Sequence, residues 1–146
     1  MGPGMAPTPF TADEIRRGCP SGRTVTIRVR EGEGPARLDI TRFLSGDPEK
    51  TVMERTVREV EGGPVSAPQT ITARWTDLQA HASFEDDRTV VREDNLITEL
   101  GQFECLRYTV SGDEGVADFW FAVELPGMPI KVRAPGLEMD MVENMG

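Results

Sequence analysis

The chain carries one histidine, two cysteines and no long apolar run. Each shortage closes off a class of chemistry. With His81 alone there is no second imidazole for a His-His metal site, and no partner set for a histidine-based dyad. A histidine near the end of a short helix is already accounted for by the helix dipole. Pairing it with Cys105 as a thiol catalyst needs contact and a depressed thiol pKa, and the sequence signals neither. Cys19 and Cys105 do not form a C-x-x-C metal motif. They are two free thiols, or a disulfide if the fold brings their Cα atoms to about 4.4–6.8 Å. No segment approaches the roughly 18–20 apolar residues of a membrane span. Glycines punctuate turns, with neither G-x-G-x-x-G nor a Walker loop. Glu85-Asp86-Asp87 and Glu93-Asp94 lack calcium-loop spacing, and Arg88 and Arg92 oppose a cation there. No catalytic, cofactor-binding or metal residue is therefore assigned, and the expectation is a protein without enzymatic activity and without a cofactor.

Positive charge is also scarce. Twenty-five acidic residues face 16 basic ones, a net charge of −9. Such a surface repels phosphate backbones and anionic membranes, which argues against nucleic acid as a partner. The N-terminal stretch, with Pro3, Pro7 and Pro9, has neither the basic nor the apolar region of a secretory signal. As it stands the chain is expected in the cytoplasm. Met5 is a second candidate start, and a signal or lipid anchor removed ahead of it would make the protein an exported one.

What is present is mostly strand signal. Residues 1–9 are expected to be disordered, and 10–146 to form a single β-rich domain. Phe10–Gly18 reads as a short helix. Thr11 is the N-cap, Glu14 completes a capping box, and Phe10 staples to Ile15. Gly18 is expected to take the left-handed position that ends it. Val25, Ile27 and Val29 then alternate with polar residues. Leu38, Ile40 and Leu44 share a face, with Phe43 opposite. Lys50–Glu61 is rich in β-branched residues and reads as a strand. Trp75, Leu78, Gln79 and Ala82 recur at helical spacing within Ala73–Ala82. Arg88–Arg92 and Asn95–Leu100 read as two strands broken by a turn or bulge at Asp94-Asn95.

The densest signal lies in residues 101–133. Leu106, Tyr108 and Val110 occupy one face of a strand, and Phe103 and Cys105 the other. Ala117, Phe119, Phe121, Val123 and Leu125 form one apolar face, with Trp120 and Ala122 behind it. Pro126-Gly127 has type II turn chemistry. The order of elements, strands then helix then strands, predicts a mainly β (α+β) fold: an antiparallel meander making a strongly curved sheet or partial barrel, with one or two short helices.

Gly101, Phe103, Cys105, Tyr108, the run Phe119-Trp120-Phe121 and the segment Pro129-Ile130-Lys131-Val132 give this C-terminal third its character. In them it resembles bacterial proteins of unknown function related to lipoprotein-carrier half-barrels. The resemblance implies a sheet wrapped around an apolar concavity, sometimes closed by a short helix, a role that Trp75–Ala82 would fill. It transfers no catalytic residue.

The face assignment sorts the aromatic residues. Phe119 and Phe121 belong to the core. Trp120 points away from them and is the side open to binding, or else packs against Trp75. The leading expectation is a non-enzymatic binding module holding an apolar small molecule or a protein partner in the sheet's concavity. The alternatives are a structural or oligomerising protein and a small carboxylate-based enzyme. Ligand-binding residues and oligomeric state are left open.

Overall fold

The computed structural model describes residues 3–146. A helix, α1 (Ala12–Gly18), precedes four strands: β1 (Thr24–Glu31), β2 (Arg37–Gly46), β3 (Lys50–Glu59) and β4 (Gln69–Arg74). A second helix, α2 (Trp75–Ala80), and a single 3-10 turn (Asp86–Arg88) lead to five more. These are β5 (Thr89–Thr98), β6 (Gly101–Gly112), β7 (Gly115–Ala122), β8 (Lys131–Ala134) and β9 (Leu137–Met145).

All nine strands belong to one antiparallel sheet in the order β4-β3-β2-β1-β9-β8-β7-β6-β5. It is two meanders sewn together. β1–β4 run outward to one edge, β5–β9 run inward from the other, and β1 pairs with β9 from Thr24↔Met145 to Glu31↔Leu137. The register shifts between Thr26 and Ile27, a bulge that adds local twist.

This order explains the curvature. β4 and β5 are the two edges, yet only residues 75–88 join them. A flat nine-stranded sheet would set its edges about 38 Å apart, at about 4.8 Å per strand. A connection holding a six-residue helix, which rises only about 1.5 Å per residue, does not reach across that distance. The sheet therefore curls without closing into a barrel, and the expected strongly curved, mainly β architecture with two short helices is present.

Two apolar clusters hold it together. In the first, Phe10, Ile15 and Cys19 from α1 and its flanks meet Trp75 from α2, Phe43, Met53, Tyr108 and Phe121 from the sheet. Tyr108 and Phe121 pack edge to face at 5.4 Å, and Phe10 meets Phe121 likewise at 6.3 Å. The second joins Val25, Ile27, Val29 and Met141 to Cys105, Trp120, Ala122 and Ile130. β6 and β7 feed both, because alternate residues leave opposite sides of a strand. Tyr108 pairs with Phe119 and Leu106 with Phe121 in the first cluster, while Cys105 pairs with Ala122 in the second.

Helix α1 begins as its sequence dictates. The Thr11 side chain accepts from the Glu14 backbone N–H at 3.1 Å, and Glu14 accepts from the Thr11 N–H at 3.0 Å. Its end differs from expectation. Gly18 is not left-handed, and positive φ occurs at Gly22 instead. Gly18 is small because Pro126 lies against it: a Cβ there would sit 2.9 Å from the proline ring.

Other departures have equally local causes. β5 is one continuous strand, with Asp94 opposite Cys105 and Asn95 opposite Glu104, so no turn interrupts it. β7 stops at Ala122, which leaves Val123 exposed and sends Leu125 to the second cluster. On β2 it is Phe43 that is buried, opposite Met53, while Leu44 is 39% exposed.

Of residues 1–9, expected to be disordered, Met1 and Gly2 lie outside the described residues, and others among them make ties to distant parts of the fold. Ala6 is buried and its N–H donates to the Phe84 carbonyl at 2.8 Å. The Tyr108 hydroxyl donates to the Pro7 carbonyl at 2.5 Å, and the Asp86 N–H to Gly4 at 2.9 Å. The segment is a strap across Phe84 and Tyr108. Proline-rich composition does not reveal such ties, because they come from partners about 80 to 100 positions away in sequence.

Candidate functional site

The concave side of the sheet holds a cavity of 240 Å³ between the sheet and the helices. Its floor is Phe43 and Met53 from β2 and β3, with Phe119 and Phe121 from β7. Ile15 of α1 and Leu78 of α2 line its helix side. His81, Ala82 and Phe84 form one rim, and Gly127, Met128 and Pro129 the other. Cys19, just past α1, completes the wall.

Each wall is placed by a specific device. The Trp75 indole N–H donates to the Asp47 carbonyl at 2.8 Å, and the Trp75 amide to Glu49 at 3.1 Å, which pins the start of α2 to the β2–β3 turn. Gln79 ties the two helices by accepting from the Ala12 N–H at 3.0 Å, and it donates to Thr8 at 3.0 Å. The segment 123–130 bridges β7 and β8 across the opposite rim, with Gly127 at a φ of +129°.

The lining is almost wholly apolar. Its side-chain polar atoms belong to His81, which is exposed at the rim, and Cys19, which is buried. Burial pushes the Cys19 thiol above its ordinary pKa, and the nearby Arg23 guanidinium opposes that rise. Arg23 is itself only 5% exposed. Its Nη1 donates to the Gly18 carbonyl at 2.8 Å, to the Pro126 carbonyl at 3.0 Å and to Cys19 Sγ at 3.1 Å; its Nε donates to Asn144 Oδ1 at 2.9 Å.

The side of β7 marked by Trp120 is closed. Trp120 is buried in the second cluster, its indole N–H donates to Asp94 at 3.0 Å, and the Arg107 guanidinium covers the ring at 4.8 Å. It does not meet Trp75, which belongs to the first cluster. A separate hollow beside Asn95, Gln102 and Glu104, whose side chains by alternation share the face of Leu106 and Phe121, measures 580 Å³ and opens broadly to solvent, with a mainly polar lining. The apolar cavity thus lies on the Phe119 and Phe121 side, opposite to the side the sequence left open.

Cys105 and His81 are separated as well. Cys105 lies in the second cluster and His81 on the cavity rim. Burial, followed by the Asp94 carboxylate, pushes the Cys105 thiol up to about 11. That keeps it protonated and poorly nucleophilic at neutral pH. Both cysteines are free thiols. Among the described residues, no group of three or more His, Cys, Asp and Glu side chains is arranged to hold a metal ion, and no helix is long and apolar enough to cross a membrane.

The cavity residues that sequence reading missed are Phe43, Met53, Ile15 and Cys19. Ile15 of α1 and Cys19 just beyond its end stand four apart, and Leu78, His81 and Ala82 repeat at i, i+3 and i+4. Those spacings were readable. What was not readable is that the two faces converge on the same stretch of β7. The chain matches no family model, no curated protein and no solved structure.

Proposed function

We propose that this protein is a non-enzymatic binding module that holds a small apolar ligand in the concavity of its curved sheet. The observation that carries this reading is the 240 Å³ cavity lined by Phe43, Met53, Leu78, Phe119 and Phe121. Native cores leave few voids larger than a water molecule. An apolar cavity of about 150 Å³ stays dry and takes up benzene, so this one suits an occupant somewhat larger. Few polar groups face it, so shape and apolar contact would govern affinity.

The carrier-like expectation is compatible with this geometry, since α2 and the 81–84 loop stand where a lid would. The test is direct. The purified protein is examined by native mass spectrometry and organic extraction for a co-purifying apolar molecule, and titrated with the neutral fluorophore N-phenylnaphthylamine. A bound species, or saturable fluorescence displaced by a medium-chain alcohol, supports the reading. A protein with no co-purifying molecule and no saturable probe binding refutes it.

A further inference from the structure

The edge strand β5 has an open outer side. It pairs with β6 along its full length, from Thr89↔Val110 to Thr98↔Gly101, and among the described residues with no other strand. The Val123 N–H donates to the Glu104 carbonyl at 2.9 Å, so Glu104 turns its backbone groups toward β7. Backbone direction alternates along an antiparallel ladder. Phe103, Cys105 and Arg107 therefore bond to β5, through Leu96, Asp94 and Arg92. Val91, Glu93, Asn95 and Ile97 are left directing N–H and C=O outward, and among the described residues no hydrogen bond reaches those groups. This ten-residue edge contains no proline, no lysine and no bulge, the devices that ordinarily blunt an edge.

Its side chains are as incomplete as its backbone. Val90, Val91 and Ile97 are exposed, Ile97 by 81%. Arg92 stands opposite Arg107, and Arg107 takes the nearby carboxylates, Asp118 at 3.1 Å and Asp94 at 3.7 Å. Among the described residues Arg92 makes no salt bridge, and it acts on Asp118 only at longer range. Asp94 accepts from Trp120 through Oδ2, yet its side chain is still 34% exposed.

We infer that the partner of this edge is a second copy of the chain, joined through β5 as a two-fold dimer in which the sheet of one copy continues into that of the other. The argument is charge complementarity. Val90, Arg92, Asp94 and Leu96 share one side of the strand, in the order apolar, positive, negative, apolar. A second copy laid antiparallel with Glu93 on the two-fold axis sets Arg92 of each copy against Asp94 of the other, and Val90 against Leu96. The backbone agrees with this register, because a hydrogen-bonded pair needs two outward residues opposite each other. Here Val91 meets Asn95, and Glu93 meets its own copy. The one unfavourable contact is that exposed Glu93 pair. The other edge, β4, has six residues and a single charge, Arg74, so two copies of it would form no ion pair.

The experiment is analytical ultracentrifugation of the wild type from low micromolar to millimolar concentration, beside variants of β5. The mass is expected to double from 16.1 kDa. Asn95→Pro removes an outward N–H but no bond to β6, a place where an edge strand accepts proline, and is expected to leave a folded monomer. Arg92→Glu sets like charges against Asp94 twice and is expected to weaken association at least about tenfold. Glu93→Cys lies on the axis, where paired Cα atoms stand about 5.5 Å apart, within disulfide reach. The native cysteines are buried, so mild oxidation should lock Glu93→Cys as a covalent dimer, while Val91→Cys, which faces Asn95, stays unlinked. A wild type that remains monomeric at millimolar concentration overturns the inference. So does a dimer that survives Asn95→Pro, or one that Glu93→Cys does not lock. If Asn95→Pro does not fold, the cross-link decides alone, because it leaves the β5–β6 ladder intact. None of these readouts depends on the cavity or on an apolar ligand.

Discussion

Raising the pH should unfold this protein partly through one thiol. Cys105 is 2% exposed, and its pKa is lifted from 9.0 to about 11 by burial and then by the Asp94 carboxylate. Below pH 9.0 both the folded and the unfolded thiol are protonated, and the stability tied to this group is fully present. Above that, the unfolded chain releases its proton first, so stability falls with rising pH until the folded thiol also ionises near pH 11. Two pKa units correspond to about 2.7 kcal/mol. The Asp94 side chain is 34% exposed, so solvent screens its share, and the expected loss is about 1–2 kcal/mol. The assay is urea denaturation from about pH 8 to about pH 11, comparing the wild type with Cys105→Ala. The substitution shifts the whole curve through the cavity it leaves, but only the difference in pH slope reports the thiol. Cys19 and Tyr108, whose pKa values burial also raises, titrate in both proteins and cancel. Parallel pH curves for the two proteins would refute the argument.

The N-terminal strap predicts that Tyr108→Phe, which strands the Pro7 carbonyl, costs about 1–3 kcal/mol. The Ala6 amide should then exchange faster in hydrogen-exchange measurements, and unchanged protection there would show that the strap does not depend on the hydroxyl. Gly18→Ala should reverse the usual helix preference. Alanine ordinarily gains up to about 1 kcal/mol over glycine in a helix, but here its Cβ meets Pro126 at 2.9 Å. A net loss of about 1 kcal/mol in thermal or urea unfolding is expected, and a gain would mean that the 123–130 segment yields freely.

How far the sequence foretold this structure depends on the range of each cause. The capping box at Thr11 and Glu14 was legible because its partners lie three residues apart. So was the alternation that sends Tyr108 and Cys105 to opposite clusters. The curl was legible only in outline, since it depends on β1 joining β9 across more than a hundred residues. The strap was illegible for the same reason: Pro7 finds its donor at Tyr108. β5 was misread as broken because Asp and Asn favour turns. Asp94 is instead held in the strand by Trp120 and by the ladder to Cys105.

The candidate site shows where periodicity stops being informative. Alternation in β7 separates Phe119 and Phe121 from Trp120, but period two is symmetric and does not say which face the helices cover. Two features carried that information without its being readable. One is Phe43, apolar and alone on its face of β2, which is buried where the leucine face is not. The other is Arg23, whose place between Gly22 and Thr24 suggests a solvated strand end. A charge at the start of an amphipathic strand is ordinarily exposed. Its burial becomes apparent only when the end of α1, the 123–130 segment and Asn144 of β9 are brought together around it. The same convergence of distant elements forms the cavity and sets the guanidinium against Cys19 in its wall.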